Sequence, residues 1–216
     1  MKSGSGRVTP RPRRVKRSEV RRRILESADR LFRERGLAAT SLEAIAKAAG
    51  FSKGAVYSNF AGKDELCFEL LSSRIDARIA AVEGAMPAEA GPAHHALLAG
   101  ERLLRIVESE PGWQIFFIEL WLRCVRSESL RPRFAAKRKL MRAQIASLFA
   151  AQADAAGFRL PLPAEHLAAS VLALSNGLGL ESLIDSEAVP PDLMGKLMGW
   201  SLRGMIADTQ DNATRR

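Results

Sequence analysis

Apolar residues recur along this chain at the three-and-four spacing of helices, and nowhere do they alternate over a run long enough for a strand. Ile24, Leu25, Ala28, Leu31 and Phe32 form one stripe of a helix expected over residues 21–35, and Gly36 then suits a left-handed C-terminal position. Leu42, Ile45, Ala46 and Ala49 mark a second helix, which Thr40 opens with Glu43 as its reciprocal capping partner. Gly50 interrupts the pattern. Ser52 then caps a third, short helix reaching about Phe60, with Val56 and Phe60 as core positions. Asp64 and Glu65 suit the positive end of a fourth helix from Lys63 to about Glu83, striped by Leu66, Leu70, Leu71, Ile75, Ile79 and Val82. Residues 86–92 read as a loop. Further helices are expected over 94–109, 113–127, 130–156, 164–185 and 191–207, punctuated by proline and glycine. The pattern predicts an all-α protein of about nine helices.

Composition sharpens this picture. Hydrophobic residues make up 47% of 216, enough for a real core, and Ala and Leu far outnumber the β-branched residues that strands favour. Ten of the 33 lysines and arginines lie in residues 1–23 against a single acid there, Glu19. That segment therefore carries the whole net charge of +9, and the rest of the chain is neutral. A basic end on a neutral body fits a polyanionic partner met at that end. Residues 1–20 read as a flexible basic arm, in which Arg7 to Arg17 can follow a minor groove or a phosphate backbone, and residues 209–216 read as a flexible tail. No apolar leader follows the first lysine and no run reaches a membrane-spanning length, so a cytoplasmic protein with no membrane partner is expected. Cys67 and Cys124 sit in helical patterns, as buried thiols do.

Enzyme chemistry finds little support. Gly199-Trp200-Ser201-Leu202-Arg203 lacks the second glycine and the preceding strand of a nucleophile elbow. His94, His95 and His166 lack metal-ligand spacing, and there is no glycine-rich phosphate loop. No catalytic residue, metal or cofactor is expected.

The stretch from Thr40 to Phe60 raises a sharper question, because a sound helix is broken for one glycine and restarted at once. Ala46 is small where a second helix would cross, Gly50 permits the positive φ of a tight turn, and Val56 can plug the pair together. This is helix-turn-helix spacing, and it would carry the second helix clear of the body, where it can enter a major groove. Lys53, Gly54, Ser58 and Asn59 are then the candidates to read base edges. Thr40, Ser41, Ser52, Tyr57 and Lys63 are the candidates to hold phosphates.

Residues 21–68, with "ILESADRLFRERG", "TSLEAIAKAAG", "SKGAVYSNF" and "KDEL", resemble the DNA-binding domain of tetracycline-repressor-like (TetR-type) transcriptional regulators. Gly62 departs from the pattern, since members often carry a serine cap there. The resemblance implies a DNA-binding head over residues 21–66, an effector-binding and dimerisation body over 67–208, and a repressor released from a palindromic operator by a small molecule. An effector-independent DNA-binding or architectural regulator is the alternative. Trp113, Phe117, Leu120, Trp121 and Cys124 form a dense apolar cluster, in a region that in this family lines an effector cavity; a small apolar effector is expected. The final two predicted helices are apolar on more than one face and call for a partner beyond the body. Gly177, Gly179, Gly195 and Gly199 would permit close approach, and the resemblance implies a four-helix homodimer interface there, with Leu174, Leu178, Leu197 and Trp200 as candidates.

Overall fold

A hydroxyl turned inward sets the geometry of the N-terminal end. Thr40, which the sequence suggests as a cap, is buried, and its Oγ1 donates to the Gly36 carbonyl at 2.8 Å and the Leu31 carbonyl at 3.2 Å. The cap of the second helix passes to Ser41, whose Oγ accepts from the Ala44 amide at 3.1 Å. Glu43, freed from the expected capping box, pairs instead with Lys53.

The computed structural model describes residues 16–84, 91–155, 157, 159–160 and 162–214, and among them there are nine helices and no strand. They are α1 (Arg17–Ala39), α2 (Leu42–Ala49), α3 (Lys53–Tyr57), α4 (Lys63–Glu83), α5 (Pro92–Glu108), α6 (Pro111–Val125), α7 (Leu130–Ala155), α8 (Ala164–Ile184) and α9 (Leu193–Thr214). Two boundaries differ from expectation. Arg17 to Val20, expected in the arm, are already helical, and α9 continues through Thr214 where a loose tail was expected. The remainder of the arm and most of the 86–92 loop lie outside the described residues.

Gly36 takes φ 81 and ψ 163, a conformation open almost only to glycine, and so ends the regular part of α1. Gly50 is left-handed at φ 75 and ψ 33, and the amide of Phe51 closes the turn onto the Ala46 carbonyl at 2.9 Å. Gly62 offers α4 no side-chain cap; Glu65 substitutes by accepting from the Ala61 amide at 2.5 Å.

One apolar core joins the first helices to the middle of the chain. Ile24, Phe32, Ile45, Val56, Phe60 and Leu66 are buried together with Trp113, Phe116, Leu120 and Phe134. The Phe32 and Phe116 rings stack at 5.3 Å, tying α1 to α6. A second core, centred on Leu104, Val189 and Met194, holds α5, α8 and α9. Here α5 packs along α9, and α7 along α8. Gly179 and Gly195 face inward rather than toward a partner: a Cβ on Gly195 would lie 2.4 Å from the Leu97 carbonyl oxygen, and one on Gly179 would lie 2.6 Å from Val107. Gly177 alone of the three faces open space.

α8 is long and apolar enough to cross a membrane by length and hydropathy, although polar residues such as Ser170, Ser175 and Asn176 interrupt its apolar run. It packs on α7 and α5, yet only 22% of its most apolar stretch is buried.

Candidate nucleic-acid interface and effector cavity

α2 and α3 meet across the Gly50 turn, with Val56 fully buried between them. Burial of Val56 turns Gly54 and Ser58 to the opposite side of α3, with Tyr57 and Lys53 flanking, and all four are exposed. Tyr57 is half exposed. Ser41 and Ser52, also exposed, each cap their helix; the Ser52 Oγ accepts from the Ala55 amide at 3.2 Å. The polar α3 face and both caps therefore share one accessible side.

Some of these residues are already engaged. Lys53 forms an ion pair with Glu43, and this hydrogen bond holds the Glu43 carboxyl below the usual range. Asn59 is half-buried; its amide donates to the Ala55 carbonyl at 2.8 Å, and its Oδ1 accepts from Arg17 at 3.4 Å. Arg17 also donates to the Ser58 carbonyl at 3.3 Å, so it belongs to the end of α3 rather than to a reaching arm. Arg21 donates to the Asn59 carbonyl, pairs with Glu69 and lies 4.2 Å over the Phe60 ring. Two arginines from α1 thus buttress the C-terminal end of α3, where backbone carbonyls attract cations. Sequence periodicity carries no sign of this, because the partners are about forty residues apart.

Lys63 points back into the protein. Its ammonium donates to the Leu37 carbonyl, and burial pushes its pKa down. Thr40 likewise has no free hydroxyl for a phosphate. Among the sequence candidates for phosphate contacts, Ser41, Ser52 and Tyr57 keep accessible side chains.

The body encloses a cavity of about 230 Å³ walled by α4, α5, α6, α7, α8 and α9. Its surface is mainly aliphatic, with Ile75, Ile79, Leu103, Ile145 and Met198 among the walls. Of the five expected effector residues, Trp113 and Phe117 line it. Leu120, Trp121 and Cys124 do not. Leu120 and Cys124 are wholly buried in the core shared with the head, and Trp121 packs edge-on against Phe117 and Phe134. The reason is position along the helix: the four residues share one stripe of α6, but Trp113 and Phe117 lie in its first half, beside the cavity, while Leu120 and Cys124 lie further along the axis, in the core shared with the head.

α6 reaches both regions. Its cavity face carries Trp113, Gln114 and Phe117. Its other side stacks Phe116 on Phe32, offers Glu119 to the Leu37 amide and pairs Arg123 with Asp64 at 2.9 Å. α4 adds a chain of ions: Arg74 binds Asp29 of α1 and Glu110, and Arg78 binds Glu110 at 3.2 Å while lining the cavity. Both α4 and α6 thus touch the cavity and the head.

Of the candidate interface residues, Trp200 is 59% exposed and Leu174, Leu178 and Leu197 are partly buried; Leu180 and Ile184 extend the exposed apolar face of α8.

An accessible recognition helix on a helical head, coupled to a hollow helical body, defines a helix-turn-helix transcriptional regulator. The family description "Bacterial regulatory proteins, tetR family" matches residues 24–70, and "BetI-type transcriptional repressor, C-terminal" matches residues 92–207. The chain belongs to the TetR family of DNA-binding transcriptional regulators. The HTH-type transcriptional regulator TtgR of Pseudomonas putida is 47% identical over 55 residues, covering 26% of this chain and 26% of that protein. The chain therefore matches only about a quarter of the length of such curated relatives. A transcriptional regulator of Rhodococcus sp. Rha1 superposes with TM-score 0.66 at 26% identity, covering 88% of this chain and 96% of that one. A regulator of Saccharomonospora viridis solved in complex with choline does so with TM-score 0.58 at 25% identity, covering 84% and 94%.

Proposed function

We propose that this regulator binds a two-fold operator as a homodimer and is released when a small molecule occupies the α4–α9 cavity. In this reading α1–α3 and the first turn of α4 hold DNA, and the rest of the chain holds effector and partner. Lys53, Gly54 and Ser58 face the bases, with Asn59 joining them once its contact with Arg17 yields. Ser41, Ser52 and Tyr57 take phosphates, and the amides at the start of α4 add another donor group beside Lys63. The dimer forms through the exposed faces of α8 and α9, including Ile184, Trp200, Leu174, Leu178 and Leu197. Such a protein works where the chromosome is, in the cytoplasm.

The observation that carries this reading is the double duty of α6. The same helix lines the cavity through Trp113, Gln114 and Phe117 and grips the head through Phe116, Glu119 and Arg123. A ligand that favours a shifted α6 also favours a shifted head. Because two heads must match two half-sites, such a ligand lowers operator affinity in proportion to its preference for that state.

The test is selection of bound duplexes from random DNA, followed by titration of the complex with a small-molecule panel. Enrichment of an inverted repeat and its release by at least one cavity ligand are expected. Enrichment of a single half-site defeats the dimer. Ligands that bind the cavity and leave DNA bound defeat the release mechanism and favour an effector-independent regulator.

A further inference from the structure

The polar atoms that face the cavity lack a common kind of partner. Gln114 is 3% exposed and lines the cavity, and among the described residues its Nε2 has no acceptor; the buried Nε of Arg78 is in the same state. Arg138 lines the cavity from α7, and among the described residues no carboxylate pairs with it. Its charged neighbour is Arg142, another cation, and burial lowers its pKa to about 10, which leaves it charged at neutral pH. Elsewhere on the walls the polar groups are neutral, as at Ser175 and Asn176 of α8, or are paired or exposed. Arg78 is neutralised by Glu110, His95 Nδ1 meets Gln152 Oε1 at 2.9 Å, and Glu83 is exposed at the end of α4. What the cavity wants is an acceptor, and one with negative charge, because the buried donors of Gln114 and Arg78 and the half-buried cation of Arg138 are stabilised by such a partner.

The aromatic walls point the same way. Arg74 and Arg78 lie 5.7 and 5.6 Å from the ring centre of Trp113, the indole that lines the cavity. Arg138 lies 4.9 Å from the ring centre of Trp121, which stands behind the wall. The indole face that a quaternary ammonium would favour already carries two cations, which leaves it the weaker phenyl rings of Phe117 and Phe149.

We propose that the cavity takes a small amphipathic anion, such as a carboxylate, with its apolar part against the aliphatic walls and its anionic oxygens held by Arg138 and the free donors of Gln114 and Arg78. The volume equals about eight water molecules at liquid density, so a ligand of on the order of ten non-hydrogen atoms suits it. This identity of the ligand rests on the cavity being the effector site only for its regulatory meaning; binding itself is measured without DNA.

Calorimetric titration of the full-length protein with octanoate, 1-octanol and octyltrimethylammonium is the test, since the three share a chain and differ in head charge. Octanoate should bind at least tenfold more tightly than either of the others. Arg138→Gln should remove about tenfold of that preference, in line with loss of a charge-assisted hydrogen bond, and leave octanol unchanged. Arg138→Lys should keep most of it, and Arg142→Gln all of it. Thermal unfolding of each variant confirms that the fold persists; should Arg138→Gln unfold, the lysine variant and the three-ligand ranking decide. Equal affinity for the three ligands, tighter binding of the ammonium, or equal losses in the Arg138 and Arg142 variants overturns the proposal. Tight octanoate binding that leaves operator bound supports the anion site and defeats only the effector reading.

Discussion

The two turn glycines carry different loads, and alanine substitution should separate them. At Gly36 the backbone sits at φ 81 and ψ 163, where a side chain costs about 1–3 kcal/mol. A Cβ there would also stand 3.0 Å from Oε1 of Glu119, the carboxylate that accepts from the Leu37 amide. Alanine returns about 0.4–1 kcal/mol by restricting the unfolded chain, leaving a net loss of roughly 2 kcal/mol. At Gly50 the conformation is ordinary left-handed helix, which costs about 1–2 kcal/mol. The nearest obstacle there is the flexible end of Arg23 at 3.2 Å, so the net loss should be roughly 0.5–1 kcal/mol after the same correction. Guanidinium unfolding at fixed protein concentration reads both as shifts in midpoint at constant slope. For a chain of this size, Gly36→Ala should lower Tm by about 4–8 °C. Where both variants are still fully folded, Gly36→Ala should also weaken binding to paired half-sites more than to one half-site, because Glu119 no longer fixes the head against α6. A Gly36→Ala variant as stable as Gly50→Ala, or one whose DNA affinity falls equally on single and paired sites, refutes the account of that joint.

Three further outcomes follow from the same geometry. Lys53→Ala and Asn59→Ala should each relax base preference at one operator position by about 1–3 kcal/mol, while Tyr57→Phe weakens all sequences alike; competition binding against single-base operator variants reads this. Ile184→Glu combined with Trp200→Ala should give monomers in sedimentation, since a buried tryptophan anchor is worth about 2 kcal/mol or more; a dimer of unchanged mass places the interface elsewhere. Burial pushes the Cys67 thiol up to about 12 from its ordinary value near 9. A raised folded pKa means that the unfolded chain loses its proton first, so stability is intact below about pH 9 and falls as pH rises toward 12. Cys67→Ala should flatten that fall in a pH series of unfolding midpoints, and a slope unchanged by the substitution removes Cys67 as its cause.

Local signals were legible where neighbours in sequence are neighbours in space. Gly50, Ser52 and Val56 declared the turn, the cap and the plug, and the α3 face followed from helical phase. The Thr40 and Glu43 capping box failed by one residue because the choice of cap depends on what lies beneath. Thr40 reaches two carbonyls of α1, and Ser41 is left outside to cap. Lys63 failed for a similar reason, since only the folded chain puts the Leu37 carbonyl within its reach. In α6, apolar density announced a core without saying which end of the stripe bordered a cavity. Trp113 and Phe117 border the cavity, while Leu120 and Cys124 support the head.

The order of residues alone settled that the chain is helical, that it breaks at Gly50, and that a slim polar helix follows. These depend on periodicity and backbone freedom, which act over a few residues. Tertiary packing decided what no short window contains: which arginines of α1 brace α3, which way Lys63 and Thr40 turn, and that one helix spans from cavity to head. It also set Gln114 and Arg138 on the cavity wall with no carboxylate beside them among the described residues, because a group's partners are set by the helices that converge on it and not by the residues beside it in the chain.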